Sequence, residues 1–125
     1  MMNVVDSSGW LEYFTAGRNA AFFKAALEDT DHLIVPVICL YEVFKLTLLK
    51  KGEEDALQIA GMMSTGKNVD INREIALYAA QLSIEYKIPM ADSLILGTAR
   101  LYESTLWTQD EHFNGIPGVK YISKT

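Results

Sequence analysis

A helix with one carboxylate near its start is predicted by residues 88–99, which read Ile-Pro-Met-Ala-Asp-Ser-Leu-Ile-Leu-Gly-Thr-Ala. Pro89 suits a first helical position, where the N–H that proline lacks would have no partner within the helix. Asp92 then lies in or just after the first turn, on the face that carries Ile95 and Ala99. We therefore expect the Asp92 carboxylate to point toward the core or a cleft at its edge. Complementing the helix dipole is the simpler explanation, and it accounts for Asp92 taken alone.

Short apolar stretches alternate with helical patterns along the rest of the chain. The predicted strands are 2–5, 32–35, 67–71, 105–108 and 119–122, and the predicted helices between them are 10–14, 19–28, 36–51, 53–64 and 72–86. Such alternation is typical of α/β proteins with a mainly parallel sheet. The predicted fold is a three-layer α/β/α sandwich around a short sheet.

The composition limits what the protein can be. Its 125 residues, half of them apolar, fit a single domain over 1–125. A net charge of −5 excludes a protein whose whole surface wraps nucleic acid, and leaves only a local or metal-assisted site for it. Cys39 is the single cysteine, which excludes an internal disulfide and fits a small core residue. Membrane-span and secretory-signal patterns are both missing, so we expect a cytoplasmic protein with no membrane partner.

Two further carboxylates follow predicted strands directly. Asp6 comes after the first strand, where Ser7 or Ser8 is the more natural cap for the next helix. Asp110 comes after the strand 105–108, where closing a turn or capping a short helix is its ordinary role. Because ligands of parallel sheets bind beyond the carboxyl ends of the strands, we expect both residues at that edge.

Glu42 lies on a helical row that is otherwise apolar, with Ile38, Leu46 and Leu49 at i−4, i+4 and i+7. Glutamate is rarely buried without a partner, so this placement indicates a specific role. The alternative is an ion pair with Lys45 on a solvated face, because other apolar side chains form a second row on the same helix.

Convergence of these carboxylates would have an electrostatic cost that something must offset. Two carboxylates ~4 Å apart repel by about 4 kcal/mol at an effective dielectric constant of 20, so the group must share protons or hold a cation. All-oxygen ligation selects a hard ion, and Mg²⁺ or Mn²⁺ is expected rather than Zn²⁺. Such an ion can activate water for phosphodiester cleavage, which would allow an acidic protein to cut nucleic acid.

Four segments carry these carboxylates in order: VVDSSGWLEYF at 4–14, VICLYEV at 37–43, MADSLI at 90–95 and LWTQDEHF at 106–113. Together they resemble the PIN domain, and in particular the single-domain toxins of VapBC toxin–antitoxin pairs. The resemblance implies a Mg²⁺- or Mn²⁺-dependent endoribonuclease whose catalytic and metal-binding residues are Asp6, Glu42, Asp92 and Asp110. Ser7 and Thr108 match positions that support the carboxylates by hydrogen bonds.

One position departs from the family pattern. Many relatives carry another acidic residue two positions after the one matched by Asp110, and here that position is His112. A single loop histidine is more often solvated or packed, so His112 stays outside the predicted catalytic set, and one or two metal ions remain possible.

Other functions remain open from the sequence. Phosphotransfer domains of the response-regulator or haloacid-dehalogenase kind also use strand-end Asp, but Asp6-Ser7-Ser8 lacks the adjacent or alternate acids that they need. A non-catalytic PIN-like binding module and a housekeeping PIN nuclease without an antitoxin are the remaining alternatives.

The resemblance also implies partners, namely an RNA substrate, a small antitoxin protein and a second copy of the chain in a homodimer. An Arg or Lys of the antitoxin would enter among the carboxylates and offset their repulsion. The candidates for an apolar groove that receives the antitoxin are Trp10, Tyr13, Phe14, Phe22 and Phe23. Packing in the core is the alternative for two or three of these side chains.

Overall fold

The computed structural model describes residues 1–125 as five strands, six α-helices and two 3₁₀ turns. The strands are β1 (Met2–Val5), β2 (Leu33–Pro36), β3 (Lys67–Val69), β4 (Ser104–Thr108) and β5 (Val119–Tyr121). The helices are α1 (Ser7–Phe14), α2 (Ala20–Glu28), α3 (Val37–Lys51), α4 (Glu53–Met63), α5 (Arg73–Tyr86) and α6 (Met90–Leu101), and the 3₁₀ turns are Thr30–His32 and Glu111–Phe113.

The five strands form one parallel sheet in the order β3, β2, β1, β4, β5. β1 is central, and its Val4 pairs with Ile34 of β2 on one side and Leu106 of β4 on the other. These three side chains are at most 1% exposed, because the six helices flank the sheet. The predicted α/β fold around a mainly parallel sheet is confirmed, and every strand pairing is parallel.

The order of the strands creates a crevice between β1 and β4. From β1 the chain proceeds to β2 and β3 on one side, and it returns to β4 and β5 on the other. The N–H of Asp6 donates to the carbonyl of Trp107 at 3.1 Å, so the carboxyl ends of β1 and β4 are tied together. Connections diverge at this point, which is where open α/β sheets bind ligands.

Local signals set several helix boundaries as expected. Asn72 caps α5, its side chain accepting the N–H of Ile75 at 2.8 Å. α3 ends at Gly52, whose φ of +96° favours glycine. α6 begins at Met90, one residue after the predicted Pro89, and Asp92 lies in its first turn. None of the helices is long and apolar enough to cross a membrane.

One local expectation is wrong. The cap of α1 is Asp6 rather than Ser7 or Ser8, because Asp6 keeps the extended backbone of β1 while its side chain accepts the N–H of Gly9. The apolar row on α3 that carries Glu42 ends on the surface, where Leu49 is 73% exposed.

Candidate metal centre

Asp6 is held rigidly at the end of β1. Its side chain is buried, only 3% exposed. Oδ1 accepts hydrogen bonds from the hydroxyl of Ser8 at 2.7 Å and the N–H of Gly9 at 3.0 Å, and Oδ2 accepts from the hydroxyl of Thr108 at 2.6 Å. Three donors on three different residues therefore fix both the position and the orientation of this carboxylate.

Thr108 connects Asp6 to Asp110. Its hydroxyl oxygen accepts the N–H of Asp110 at 2.9 Å while its proton goes to Asp6. Asp110 in turn accepts the N–H of His112 at 3.0 Å and so caps the 3₁₀ turn Glu111–Phe113. The pairing of β1 with β4 thus brings residues about a hundred positions apart into one hydrogen-bonded unit.

Glu42 lies half-buried on α3 and accepts a hydrogen bond from α1. Its Oε1 accepts the hydroxyl of Ser7 at 2.6 Å, so Ser7 supports Glu42 rather than its neighbour Asp6. The alternative prediction, an ion pair between Glu42 and Lys45, is wrong, because the carboxylate and the ammonium group do not approach within 4.0 Å. The Lys45 ammonium lies instead over the ring of Tyr41, 5.7 Å from its centroid.

Asp92, Asp110 and His112 form the tightest group of potential metal ligands. One ligand atom from each lies within 4.8 Å of the other two. Nδ1 of His112 is 2.8 Å from Oδ2 of Asp92 and 3.4 Å from Oδ1 of Asp110. Asp6 and Glu42 do not fall within this group. The sequence analysis left His112 out of the predicted site. The available signal was that His112 occupies a position that is acidic in many relatives.

The carboxylates are coupled electrostatically. Burial raises the pKa of Asp6 from 3.8 to about 6, against the opposing hydrogen bonds from Thr108, Ser8 and Gly9. Burial also raises the pKa of Asp92, opposed by the hydrogen bond from His112. The negative charge of Asp110 adds to both shifts.

The pKa values of His112 and Cys39 are also raised near these carboxylates. The hydrogen bond to Asp92, and then the charge of Asp110, raise the pKa of His112. Burial, and then the charge of Asp6, raise the pKa of the Cys39 thiol, whose Sγ donates to the carbonyl of Val5 at 3.7 Å. Cys39 is fully buried, as expected, and its raised pKa keeps the thiol protonated, so it provides no reactive thiolate.

Two clefts share Phe14, the last residue of α1, and only the first of them reaches neighbours of the carboxylates. The lysine cleft, of about 290 Å³, begins beside Ser8 and Gln109, and its cationic residues are Lys50, Lys51 and Lys124. The aromatic cleft, of about 300 Å³, is lined by Trp10, Tyr13, Phe14, Leu27, Glu28, Thr30, Met62 and Thr65.

The five groove candidates therefore divide between surface and core. Trp10, Tyr13 and Phe14 line the aromatic cleft, but Trp10 is also buried in the core at 3% exposure, and its Nε1 has no hydrogen-bond partner. Phe23 is fully buried, and the half-buried Phe22 packs against the rings of Phe23 and Trp107.

Asp6 and Asp110 thus lie at the carboxyl ends of β1 and β4, the edge at which open parallel α/β sheets bind ligands. The sequence matches the family model of the PIN domain over residues 4–119. The chain belongs to the PIN-domain family, as its sequence indicated. No curated protein sequence matches it significantly.

Several solved structures that resemble this chain are described as toxins or as toxin–antitoxin complexes. The chain is 28% identical to a chain of a toxin–antitoxin complex from Klebsiella pneumoniae, with a TM-score of 0.79 and 98% of each chain covered. It is 18% identical to a chain of DNA-bound VapBC from Salmonella typhimurium, with a TM-score of 0.74 and 100% of each chain covered. It is 12% identical to VapC20 of Mycobacterium tuberculosis, described as a Sarcin-Ricin loop cleaving toxin, with a TM-score of 0.68 and 89% of this chain and 90% of that chain covered. The last two likenesses concern the fold alone.

Proposed function

We propose that this protein is a metal-dependent endoribonuclease that acts, as a single PIN-like domain, as the toxin of a toxin–antitoxin pair in the cytoplasm. One observation carries the proposal: the pairing of β1 with β4 and the packing of α6 bring Asp6, Asp110 and Asp92 to the same edge of the sheet in a PIN-domain chain, where the charge of Asp110 acts on the other two. Glu42 joins the site through its bond to Ser7 and through its charge, which raises the pKa of Asp92.

The donor set fits a divalent cation. Asp6, Glu42, Asp92 and Asp110 would hold Mg²⁺ or Mn²⁺, since carboxylate oxygens are the ligands these ions prefer. When bound, such an ion activates water and offsets the charge that develops on the phosphate. Burial is the main cause of the raised pKa of Asp92, and a cation would offset the smaller contribution from the negative charges of Asp110 and Glu42.

The role of the chain itself is to hold acceptors in place. The hydrogen bonds from Thr108, Ser8 and the N–H of Gly9 leave Asp6 in one orientation, and Ser7 does the same for Glu42. Carboxylates held in this way can orient an attacking water without reorganising during the reaction.

The lysine cleft is the proposed path of the RNA backbone. Lys50, Lys51 and Lys124 place positive charge beside Ser8, next to the acidic edge, in a protein whose net charge is −5. Phosphates on either side of the cut bond would find these ammonium groups there, and binding would weaken with salt.

The aromatic cleft is the proposed antitoxin site. It is largely apolar, as a groove for a partner helix or extended segment must be. A basic side chain of the same partner would reach the carboxylates and compete with the metal.

We also propose a homodimer. Leu77 and Ile84, seven residues apart on α5, are 56% and 81% exposed and leave an apolar face of this helix uncovered. A second copy of the chain would bury that face, and Ile84→Glu should then convert dimer to monomer in light scattering.

The test of the enzymatic proposal is RNA cleavage by the purified chain freed of any partner. We expect cleavage with millimolar Mn²⁺ and none in EDTA. Glu42→Gln and Asp92→Asn should each slow cleavage by roughly 100-fold or more while leaving the fold intact. Glu85→Gln, which changes an exposed carboxylate on α5, is the matched control and should cleave as the wild type does.

The other outcomes select among the alternatives. Full activity in both variants would contradict the catalytic assignment. A chain that binds a partner yet never cleaves RNA would be a binding module. Cleavage without growth arrest, and without a co-purifying product of an adjacent small gene, would leave a housekeeping nuclease.

A further inference from the structure

His112 is the one nitrogen donor at the carboxylate site. It lies in the 3₁₀ turn after β4, and its side chain is 55% exposed. Two carboxylates approach the same ring nitrogen, Asp92 at 2.8 Å and Asp110 at 3.4 Å. A surface histidine that only pairs with a neighbour needs one carboxylate, as His32 shows with Asp29 in the 3₁₀ turn after α2.

The two distances from Nδ1 of His112 fit the first coordination shell of a metal ion. Adjacent ligands of a six-coordinate ion with bonds of ~2.1 Å are about 3 Å apart. The two distances from Nδ1 bracket this value, and all three ligand atoms lie within 4.8 Å of one another. An ion shared by these groups would take the place of the hydrogen bond between Nδ1 and Oδ2 of Asp92.

We propose that Nδ1 of His112 binds the metal directly and makes the site prefer Mn²⁺, or a later first-row transition ion, over Mg²⁺. The inference rests on the proposed metal-dependent function and adds a ligand and a selectivity to it. Imidazole is a softer donor than carboxylate, and Mg²⁺ binds oxygen almost exclusively. Exchanging one oxygen ligand for a nitrogen therefore lowers Mg²⁺ affinity relative to Mn²⁺, Co²⁺ or Zn²⁺.

The alternative role of His112 is to orient Asp92 through a hydrogen bond, without touching the ion. Such outer partners also affect metal affinity, so loss of activity on mutation would not separate the two roles. An orienting histidine supports every ion that Asp92 binds, whereas a ligand changes the order of preference among ions. The ratio of the Mn²⁺ and Mg²⁺ affinities is therefore the quantity to measure.

The experiment compares wild type, His112→Asp and the matched control His32→Gln as full-length chains free of partner. Calorimetric titration at one pH gives the dissociation constants of Mg²⁺ and Mn²⁺, and pulsed electron paramagnetic resonance of bound Mn²⁺ reports whether nitrogen is coordinated. We expect nitrogen coupling in wild type and His32→Gln, and its loss in His112→Asp. The preference for Mn²⁺ should fall roughly tenfold in His112→Asp and stay unchanged in the control.

The other outcomes distinguish a wrong ligand assignment from a wrong proposed function. If wild type binds Mn²⁺ without nitrogen coupling, or if His112→Asp weakens both ions by the same factor, His112 is not a ligand and the proposed function is unaffected. If wild type binds neither ion, the metal-dependent function fails as well. Circular dichroism of the variant verifies folding, which the exposure of His112 should preserve.

Discussion

Replacing Asp6 by Asn should stabilise the metal-free protein at neutral pH. Asp6 is 3% exposed and its pKa is raised from 3.8 to about 6, so near pH 7.5 folding buries a carboxylate charge that water solvates better. Asn removes the charge with little change of size. It is also a good helix cap, so its oxygen can still accept from Ser8 and Gly9.

The magnitude follows from the pKa shift. The rise from 3.8 to about 6 corresponds to ~3 kcal/mol of differential stability. Because the pKa of Asp6 is higher in the folded state, protonation of Asp6 stabilises the folded wild type. This stabilisation is complete below pH 3.8 and is lost as the pH rises through about 6. Asn deprives the Thr108 hydroxyl of its acceptor, at a cost of ~1 kcal/mol. The net gain is about 2 kcal/mol at pH 7.5, or roughly 6–10 °C in Tm.

The assay is denaturant unfolding of wild type and Asp6→Asn in EDTA between pH 5 and 8. The advantage of the variant should shrink toward pH 5, where Asp6 of the folded wild type is mostly protonated. Asp70→Asn, at an exposed position after β3, serves as the control and should show no comparable trend. A variant less stable than wild type at pH 7.5, or an advantage independent of pH, would refute the electrostatic reasoning.

Three further outcomes are expected. Gly9→Ala should lower stability by ~1–3 kcal/mol in thermal melts, since its Cβ would lie 2.5 Å from a valine methyl, whereas Gly61→Ala on α4 meets nothing within 4 Å and should not destabilise. Asn19→Ala should cost ~1–2 kcal/mol in urea unfolding, because the buried Asn19 amide bridges Gln109 and the C-terminal backbone. Millimolar Mn²⁺ should raise the Tm of wild type more than that of Asp92→Asn, and equal shifts would contradict the proposed site.

Local patterns predicted most of the secondary structure correctly. Asn72 caps the start of α5 and Gly52 caps the end of α3, as expected. Both features could be predicted because helix capping and a positive φ depend on a few neighbouring residues. Where two neighbours could serve the same purpose, the prediction failed. Asp6 rather than Ser7 caps α1, and the choice depends on the backbone direction that β1 imposes.

The sequence proposes which carboxylates form the candidate site, but it does not predict their contacts. The four carboxylates could be selected from strand ends and helical faces, since both are periodic properties of the sequence. Their partners could not, because Ser7 bonds to Glu42 across 35 positions and Thr108 to Asp6 across 102. Such pairs depend on strand register and helix packing, which no local pattern encodes.

The sequence by itself determined the α/β class, the order of strands and helices, and the acidic residues available to the site. Only the tertiary structure decided that Ser7 supports Glu42, that Thr108 joins Asp6 to Asp110, and that His112 lies between Asp92 and Asp110. The physical reason is the separation along the chain between the residues that interact. Periodicity and capping act over one or two turns, whereas these contacts arise when the pairing of β1 with β4 and the packing of α3 and α6 bring distant segments to one edge.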